Sequence, residues 1–387
     1  MKNLKKFVDS KDFVTFHGNV NSLKQKVIRM LKQREEISNK RNVNVTPVWQ
    51  YVMNIMKYLL NLSTEDLINI RYHTGMITGD HINKYWDSYP PIDPNLFADE
   101  LGYSYYIKNI PKKFWLSETD FLGHSKPIGV NYKNRIINKD ICRYQCCVSN
   151  LYLTKCFDKV DNDKSIILEV GSGYGGLANV MSRLFDNKVV YVMVDIPEML
   201  MCAGSLLFLH NPDKKIYIYD ENNFGENFLK KDIYNYDFVL LPNFSFDYLN
   251  YLEKIDLMIN IQSFQEMSKM QVNNYLKLVK NKLQGCIYSD NMDCMPINNK
   301  LGDKTITFLL KKYFDIFPNP NIYYEKIPDS NKSWFYKCYI GTGIKNKSNF
   351  EKKMKIARWD KQYNIEKKNN FVEIKIKSKE RKLKRYI

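Results

Sequence analysis

From about residue 165 onward, short apolar runs alternate with longer stretches in which apolar residues recur every three or four positions. The runs 165–170, 188–194, 215–219, 237–241, 255–261 and 286–289 predict short strands, several of them buried on both faces. The stretches 174–185, 198–209 and 268–283 predict amphipathic helices between them. Strands alternating with helices at this spacing predict an α/β fold with a mostly parallel, Rossmann-like sheet. Two later pieces, 314–317 and 334–340, flank a Pro/Asn-rich turn and predict an antiparallel hairpin at the sheet edge.

The first 160 residues follow a different pattern. In 45–62, Trp49, Val52, Met53, Met56, Leu59 and Leu60 recur at helical spacing, with Thr46 as N-cap and Pro47 in the first turn, where proline is tolerated. Ser63-Thr64-Glu65-Asp66 opens another helix, and 138–158 places Ile141, Tyr144, Gln145, Val148 and Tyr152 on related faces. Between them, 75–131 is irregular, with Pro90, Pro91, Pro94, Pro111 and Pro127 among many aromatics, a composition too apolar for a plain linker. The expected organisation is a helical and loop-rich region at 1–160, an α/β domain at 161–345 and a tail at 346–387.

Composition narrows this picture. A hydrophobic fraction of 44%, with 28 Tyr and 21 Phe, supplies ample core for 387 residues. No apolar run reaches the roughly 20 residues of a membrane span, and Met1 to Lys6 lack the apolar core of a signal peptide, so a cytoplasmic protein is expected. The eight cysteines form no C-x-x-C pair and read as reduced packing residues. The formal charge of +17 admits a polyanionic partner, but most of the Lys excess is spread among Asn, Ile and Tyr as on a solvated surface. Lys375, Lys377, Lys379, Arg381, Lys382, Lys384 and Arg385 are the exception, a basic tail suited to an acidic surface or to disorder.

The densest chemical signal is Ile166-Ile167-Leu168-Glu169-Val170-Gly171-Ser172-Gly173-Tyr174-Gly175-Gly176. A strand entering a glycine turn and a helix lets backbone approach a ligand and offers free N–H groups. The letters also satisfy G-x-G-x-x-G, so a dinucleotide must be weighed. Glu169, two residues before the first glycine, suits a cationic methionine moiety better than a pyrophosphate. The mid-chain position and the terminal hairpin point the same way, towards S-adenosylmethionine. Asp195, ending the second strand, would meet ribose hydroxyls of either cofactor.

Residues 167–178 resemble the first motif of the sugar O-methyltransferase family, S-adenosylmethionine-dependent class I enzymes with a Rossmann-like domain. Val194-Asp195-Ile196-Pro197-Glu198 is similar to that family's second-strand ending. Asn260-Ile261-Gln262-Ser263-Phe264-Gln265-Glu266-Met267, followed by the 271–275 stretch, is its more specific element. The resemblance covers about 166–290 and is faint before residue 130. It implies that Glu169, Gly171 and Gly173 line the methionine end of the cofactor, that Asp195 holds the ribose, and that Ile196 packs on the adenine; Tyr174, in the same turn, is a further cofactor-binding candidate. Asn243, after Leu241-Pro242, would bound the adenine edge, and Gln262 and Ser263 would follow the fourth main strand at the carboxyl edge of the sheet. Arg143 is a candidate clamp for the cofactor carboxylate.

An O-methyltransferase must orient its reactants and take a proton from the acceptor hydroxyl. Glu266 is the best-placed carboxylate for that, with an N-cap role for the following helix as its alternative. Asp290 follows the fifth strand, and with Asp293 and Glu266 it would supply oxygen ligands for Mg²⁺, although no tight acidic motif supports a metal. His124 lies on the proline-rich stretch expected to cover the acceptor side, and histidine titrates where a general base must. The expected acceptor is a sugar, a nucleotide-sugar or a glycan. Two rivals stand beside it: an RNA or cap methyltransferase, suggested by the charge, and a non-catalytic member of a glycan-modifying assembly. The N/D-P-P-Y/F signature of base-modifying enzymes is absent after the fourth strand.

Overall fold

The computed structural model describes residues 7–38, 47–119, 127–160, 164–185, 189–292 and 306–318, together with 323–326, 333–342, 363–368 and 371–376. The chain divides into two compact units, Met1–Ser149 with Gly171–Leu252, and Asn150–Val170 with Glu253–Ile387.

In the first unit the strands Val189–Asp195, Phe238–Pro242 and Ile216–Ile218 lie side by side in that order, all parallel. The strand from Val189 is buried at every position but its last, as expected where helices cover both faces. Helix Pro197–His210 starts on a proline, whose missing amide would have had no intrahelical partner anyway. It is buried nearly all round because the long helix Lys11–Ser38 packs along it. A Cβ at Gly204 would lie 2.6 Å from Leu23 Cδ2, so glycine lets the two helices approach. Arg34 clamps Glu198 with two parallel bonds of 2.8 Å each, a geometry only a guanidinium offers a carboxylate.

The stretch predicted as one helix at 45–62 is α-helical over Pro47–Met56 and continues as a 3-10 helix, Lys57–Asn61. Ser63 and Asp66 form a capping box on Thr64–Leu67. The region 75–131 is less irregular than its prolines predict: Gly75–Thr78, Asn83–Asp87, Pro94–Glu100 and Tyr103–Tyr106 are short helices. Asp93 caps the third of these, accepting from the amides of Asn95 and Leu96. Val130–Tyr132 then pairs with Arg135–Ile137 before helix Lys139–Leu153.

In the second unit Ser165–Val170, Ile255–Ile261 and Leu283–Met292 are parallel neighbours. Ser333–Thr342 runs antiparallel beside Leu283–Met292 and pairs in turn with Asp315–Pro318, the expected closing hairpin. Tyr323–Lys326 adds a further antiparallel strand that the pattern did not predict. The buried Asp256 carboxylate accepts from Ile166 N at 2.8 Å and from Lys254 at 3.1 Å, tying the first two strands together. Within the tail, Tyr363–Lys368 pairs with Phe371–Ile376, so Lys375 sits in a strand, while Lys377 to Arg385 lie outside the described residues.

The parallel strands, their covering helices and the antiparallel closing strands make this a Rossmann-like α/β chain with a helical N-terminal region. Among the described residues no helix is long and apolar enough to cross a membrane. Cys142, Cys146, Cys147, Cys156, Cys202 and Cys286 are buried and in no disulfide, and burial pushes Cys202 up to about 12, which leaves it inert.

Candidate functional site

The glycine turn is held in one shape by backbone conformations that side-chain-bearing residues avoid. Gly171, Gly173 and Gly175 have φ of 76°, 55° and 81°. Gly171 N donates to Val194 O at 2.8 Å, and Gly175 N to Ser172 O at 3.0 Å. Asp195 sits against the turn: its Oδ2 accepts from Gly173 N at 2.7 Å and its Oδ1 from Ile196 N at 2.7 Å. A carboxylate has lone pairs beyond those two bonds, so it can still accept from hydroxyls. Ile196 itself is buried.

Two polar atoms beside this frame have no protein partner among the described residues. Ser172 Oγ, in the turn, and Asn243 Oδ1, which follows strand Phe238–Pro242, are both buried and unbonded. Buried polar groups are nearly always satisfied, so such atoms on a ligand-type turn fit a polar group supplied from outside. A Cβ at Gly173 would touch only Ile77 Cγ2, at 3.5 Å. The amides of Gly171, Gly173 and Gly175 are spent within the protein, so what the turn keeps for a ligand is the Ser172 hydroxyl and the close backbone approach its glycines allow, a frame that fits S-adenosylmethionine.

Beneath the turn lies a charged cluster that sequence reasoning missed. Arg71 is fully buried; its Nη2 donates to Asp140 Oδ2 at 2.7 Å, and Nε and Nη2 reach Glu118 Oε2 at 3.4 Å. Asp80 lies 4.0 Å away and is itself bound by Lys84 and Tyr85. The guanidinium carbon sits 4.7 Å from the Tyr174 ring centroid, and the Tyr174 hydroxyl contacts Asp140 at 3.4 Å. Burial works against the Arg71 charge, but Tyr174, Asp140, Glu118 and Asp80 outweigh it and hold the group charged. Burial also raises the Tyr174 and Tyr144 hydroxyls, so both stay neutral donors. A Cβ at Gly176 would come within 2.3 Å of Tyr174 Cζ, so this glycine makes room for the ring. The Tyr174 side chain thus packs downward onto Arg71. The signal in the sequence was an arginine inside the apolar frame of Ile68, Ile70 and Tyr72, which could be buried only against distant carboxylates.

In the second unit, Gln262 has φ of 54°, rare for a residue with a side chain, and its N–H donates to Asp290 O at 2.7 Å. Asn260 Nδ2 bonds Val170 O at 2.7 Å, and its Oδ1 accepts from Asn291 at 2.8 Å and from Phe264 N at 3.2 Å. This amide network fixes the bend after strand Ile255–Ile261, on which Ser263 and Glu266 are half-buried. The cap of helix Lys269–Lys282 is Ser268, whose Oγ accepts from Gln271 N at 3.2 Å, so Glu266 is not needed there. Glu169 and Asp290 are buried strand residues of the same unit. Arg143 is half-buried on helix Lys139–Leu153. His124 and Asp293 lie outside the described residues, and among those described no cluster of His, Cys, Asp and Glu has metal-ligand geometry.

No family model matches the chain, and no curated protein does. It is similar to several solved methyltransferase structures. One is precorrin-6y C5,15-methyltransferase from Geobacter metallireducens, at 11% identity over 55% of this chain and 92% of that one, TM-score 0.31. Another is an arsenic(III) S-adenosylmethionine methyltransferase from Chlamydomonas reinhardtii, at 16% over 47% of this chain and 64% of that one, TM-score 0.32. A third is an O-methyltransferase family protein from Burkholderia thailandensis, at 9% over 53% of this chain and 60% of that one, TM-score 0.29. The chain thus spans less than two thirds of the latter two. Likeness this low transfers no activity, and the functional reading rests on the chain's own residues.

Proposed function

We propose that this chain is an S-adenosylmethionine-dependent methyltransferase acting on a sugar or glycan hydroxyl. The observation that supports the cofactor is the glycine turn with its three left-handed glycines, closed by Asp195 on Gly173 N and flanked by the unbonded Ser172 Oγ and Asn243 Oδ1. Asp195 would accept from the ribose, Asn243 would meet the adenine edge, and Glu169, Gly171, Gly173, Gln262 and Ser263 complete the proposed cofactor set. When bound, the cofactor supplies an activated methyl group on a sulfonium that is its own leaving group.

What remains for the protein is to orient the acceptor oxygen and remove its proton. Glu266 is the proposed base, with His124 and Asp290 as the other candidates. The left-handed Gln262 and the Asn260–Asn291 network would set the direction in which the segment from Ser263 to Glu266 projects. The sugar acceptor is supported by the resemblance of that segment to sugar O-methyltransferases. The test is transfer of labelled methyl groups to a panel of nucleotide-sugars, free glycans and RNA. Labelling of a sugar hydroxyl that falls about 10²-fold or more in Glu266→Gln supports the reading. Labelling of RNA alone would overturn the acceptor assignment, and failure to bind the cofactor would overturn the whole.

A further inference from the structure

The first unit contains a cavity of about 820 Å³ between helix Lys11–Ser38, strand Ile216–Ile218 and the segment 220–236. None of its lining residues belongs to the glycine turn. Phe208 lines it near the far end of helix Pro197–His210, about 16 Å of helix from Pro197 beside Ile196, at 1.5 Å per residue. Its size is that of a ligand pocket.

The lining chemistry identifies what would bind. Its charged groups are already engaged within the protein. Asp220 faces Lys26 at 3.7 Å and Arg29 at 3.8 Å, Glu226 is paired with Lys230, and Asp232 accepts from the Asn227 amide at 3.4 Å. Asp220 and Glu226 are balanced by Lys26, Arg29 and Lys230, so the cavity offers neither the spare cations that a phosphate or nucleic acid needs nor the spare carboxylates that a cation needs. The uncommitted side chains are neutral: Asn19, Ser22, Asn223 and Asn235 line the cavity and spend no hydrogen bond on the protein among the described residues. An amide both donates and accepts, which matches vicinal hydroxyls. Beside them is an aromatic group: Tyr217 is buried, stacked on Phe228 at 4.0 Å with Lys26 Nζ over its ring, so the half-buried Phe224 and Tyr236 are the rings with surface left for a ligand. Aromatic faces next to unspent amides suit a ligand with an apolar ring face and a rim of hydroxyls.

We infer that this cavity is a binding site for a neutral oligosaccharide, separate from the proposed methyl-transfer site. Its chemistry does not depend on the methyltransferase reading; only its role of holding a glycan acceptor by a stretch other than the one being modified rests on that reading. The test is capture of the full chain on immobilised neutral oligosaccharides of hexoses and N-acetylhexosamines, with S-adenosylmethionine affinity measured on the same samples. The parent protein should be captured without cofactor. Asn19→Ala with Asn235→Ala should weaken capture about tenfold or more, the scale of losing one or two hydrogen bonds, and leave cofactor affinity unchanged. Phe224→Ala should weaken capture as well, and the variants at the half-buried Asn19 and exposed Asn235 keep the test valid if it fails to fold. Absence of capture at millimolar glycan, capture unaltered by both variants, or capture of acidic glycans and nucleic acid alone would each overturn the inference. Because cofactor binding is read separately, these failures leave the methyltransferase reading standing.

Discussion

Replacing Arg71 by methionine removes a guanidinium from a fully buried cluster and leaves Asp140, Glu118 and Asp80 facing one another without it. Breaking a buried ion pair from one side costs about 3–5 kcal/mol, because the remaining charge is stranded in a low-dielectric site. The lost contact with the Tyr174 ring adds about 0.5–2 kcal/mol. Arg71→Lys keeps the charge but loses the fork that reaches Asp140 and Glu118 together, so its cost should be smaller. Urea unfolding followed by tryptophan fluorescence should place Arg71→Met at least 3 kcal/mol below the parent, with Arg71→Lys between them. Since Tyr174 belongs to the turn, S-adenosylmethionine affinity should fall in the same order. An Arg71→Met protein within about 1 kcal/mol of the parent, with unaltered affinity, would refute the view that this cluster supports the turn.

Gly176→Ala drives a methyl group into the Tyr174 ring and should cost about 1–3 kcal/mol by overpacking, read as a lowered urea midpoint. Asp195→Ala should weaken S-adenosylmethionine binding by about 1.5–3 kcal/mol, roughly 10- to 150-fold by calorimetry, because charge-assisted bonds are lost. Burial, with Arg183 nearby, lowers His210 to about 3 from 6.5. The folded state therefore excludes a proton that the unfolded chain takes up, so the stability is complete above pH 6.5 and declines as pH falls towards 3. The slope is at most about 1.4 kcal/mol per pH unit, and His210→Gln should flatten that part of the stability profile.

The parallel strands were legible because burial on both faces leaves uninterrupted apolar runs: the run at 255–261 is the strand Ile255–Ile261 to the residue. The turn was legible too, since its glycines stand where left-handed backbone is needed. The helix after it was predicted at 174–185 but spans Gly176–Met181, because Gly175 is still left-handed and Ser182 ends the helix. Arg71 was not legible: its partners Glu118 and Asp140 lie far away in sequence, and no local pattern encodes such a pairing. The packing of Lys11–Ser38 on Pro197–His210 was hidden for the same reason, since it depends on Gly204 meeting Leu23. The Glu266 cap alternative gave way to Ser268, two residues on, where the helix starts.

The most direct test of the account is calorimetric titration of the full chain with S-adenosylmethionine, its demethylated product and a nicotinamide dinucleotide. Saturable binding of the first two is expected, lost when Gly173 is replaced by a bulky residue at its φ of 55°, and none of the third. Binding of the dinucleotide in preference, or no binding of S-adenosylmethionine by the parent protein, would contradict it.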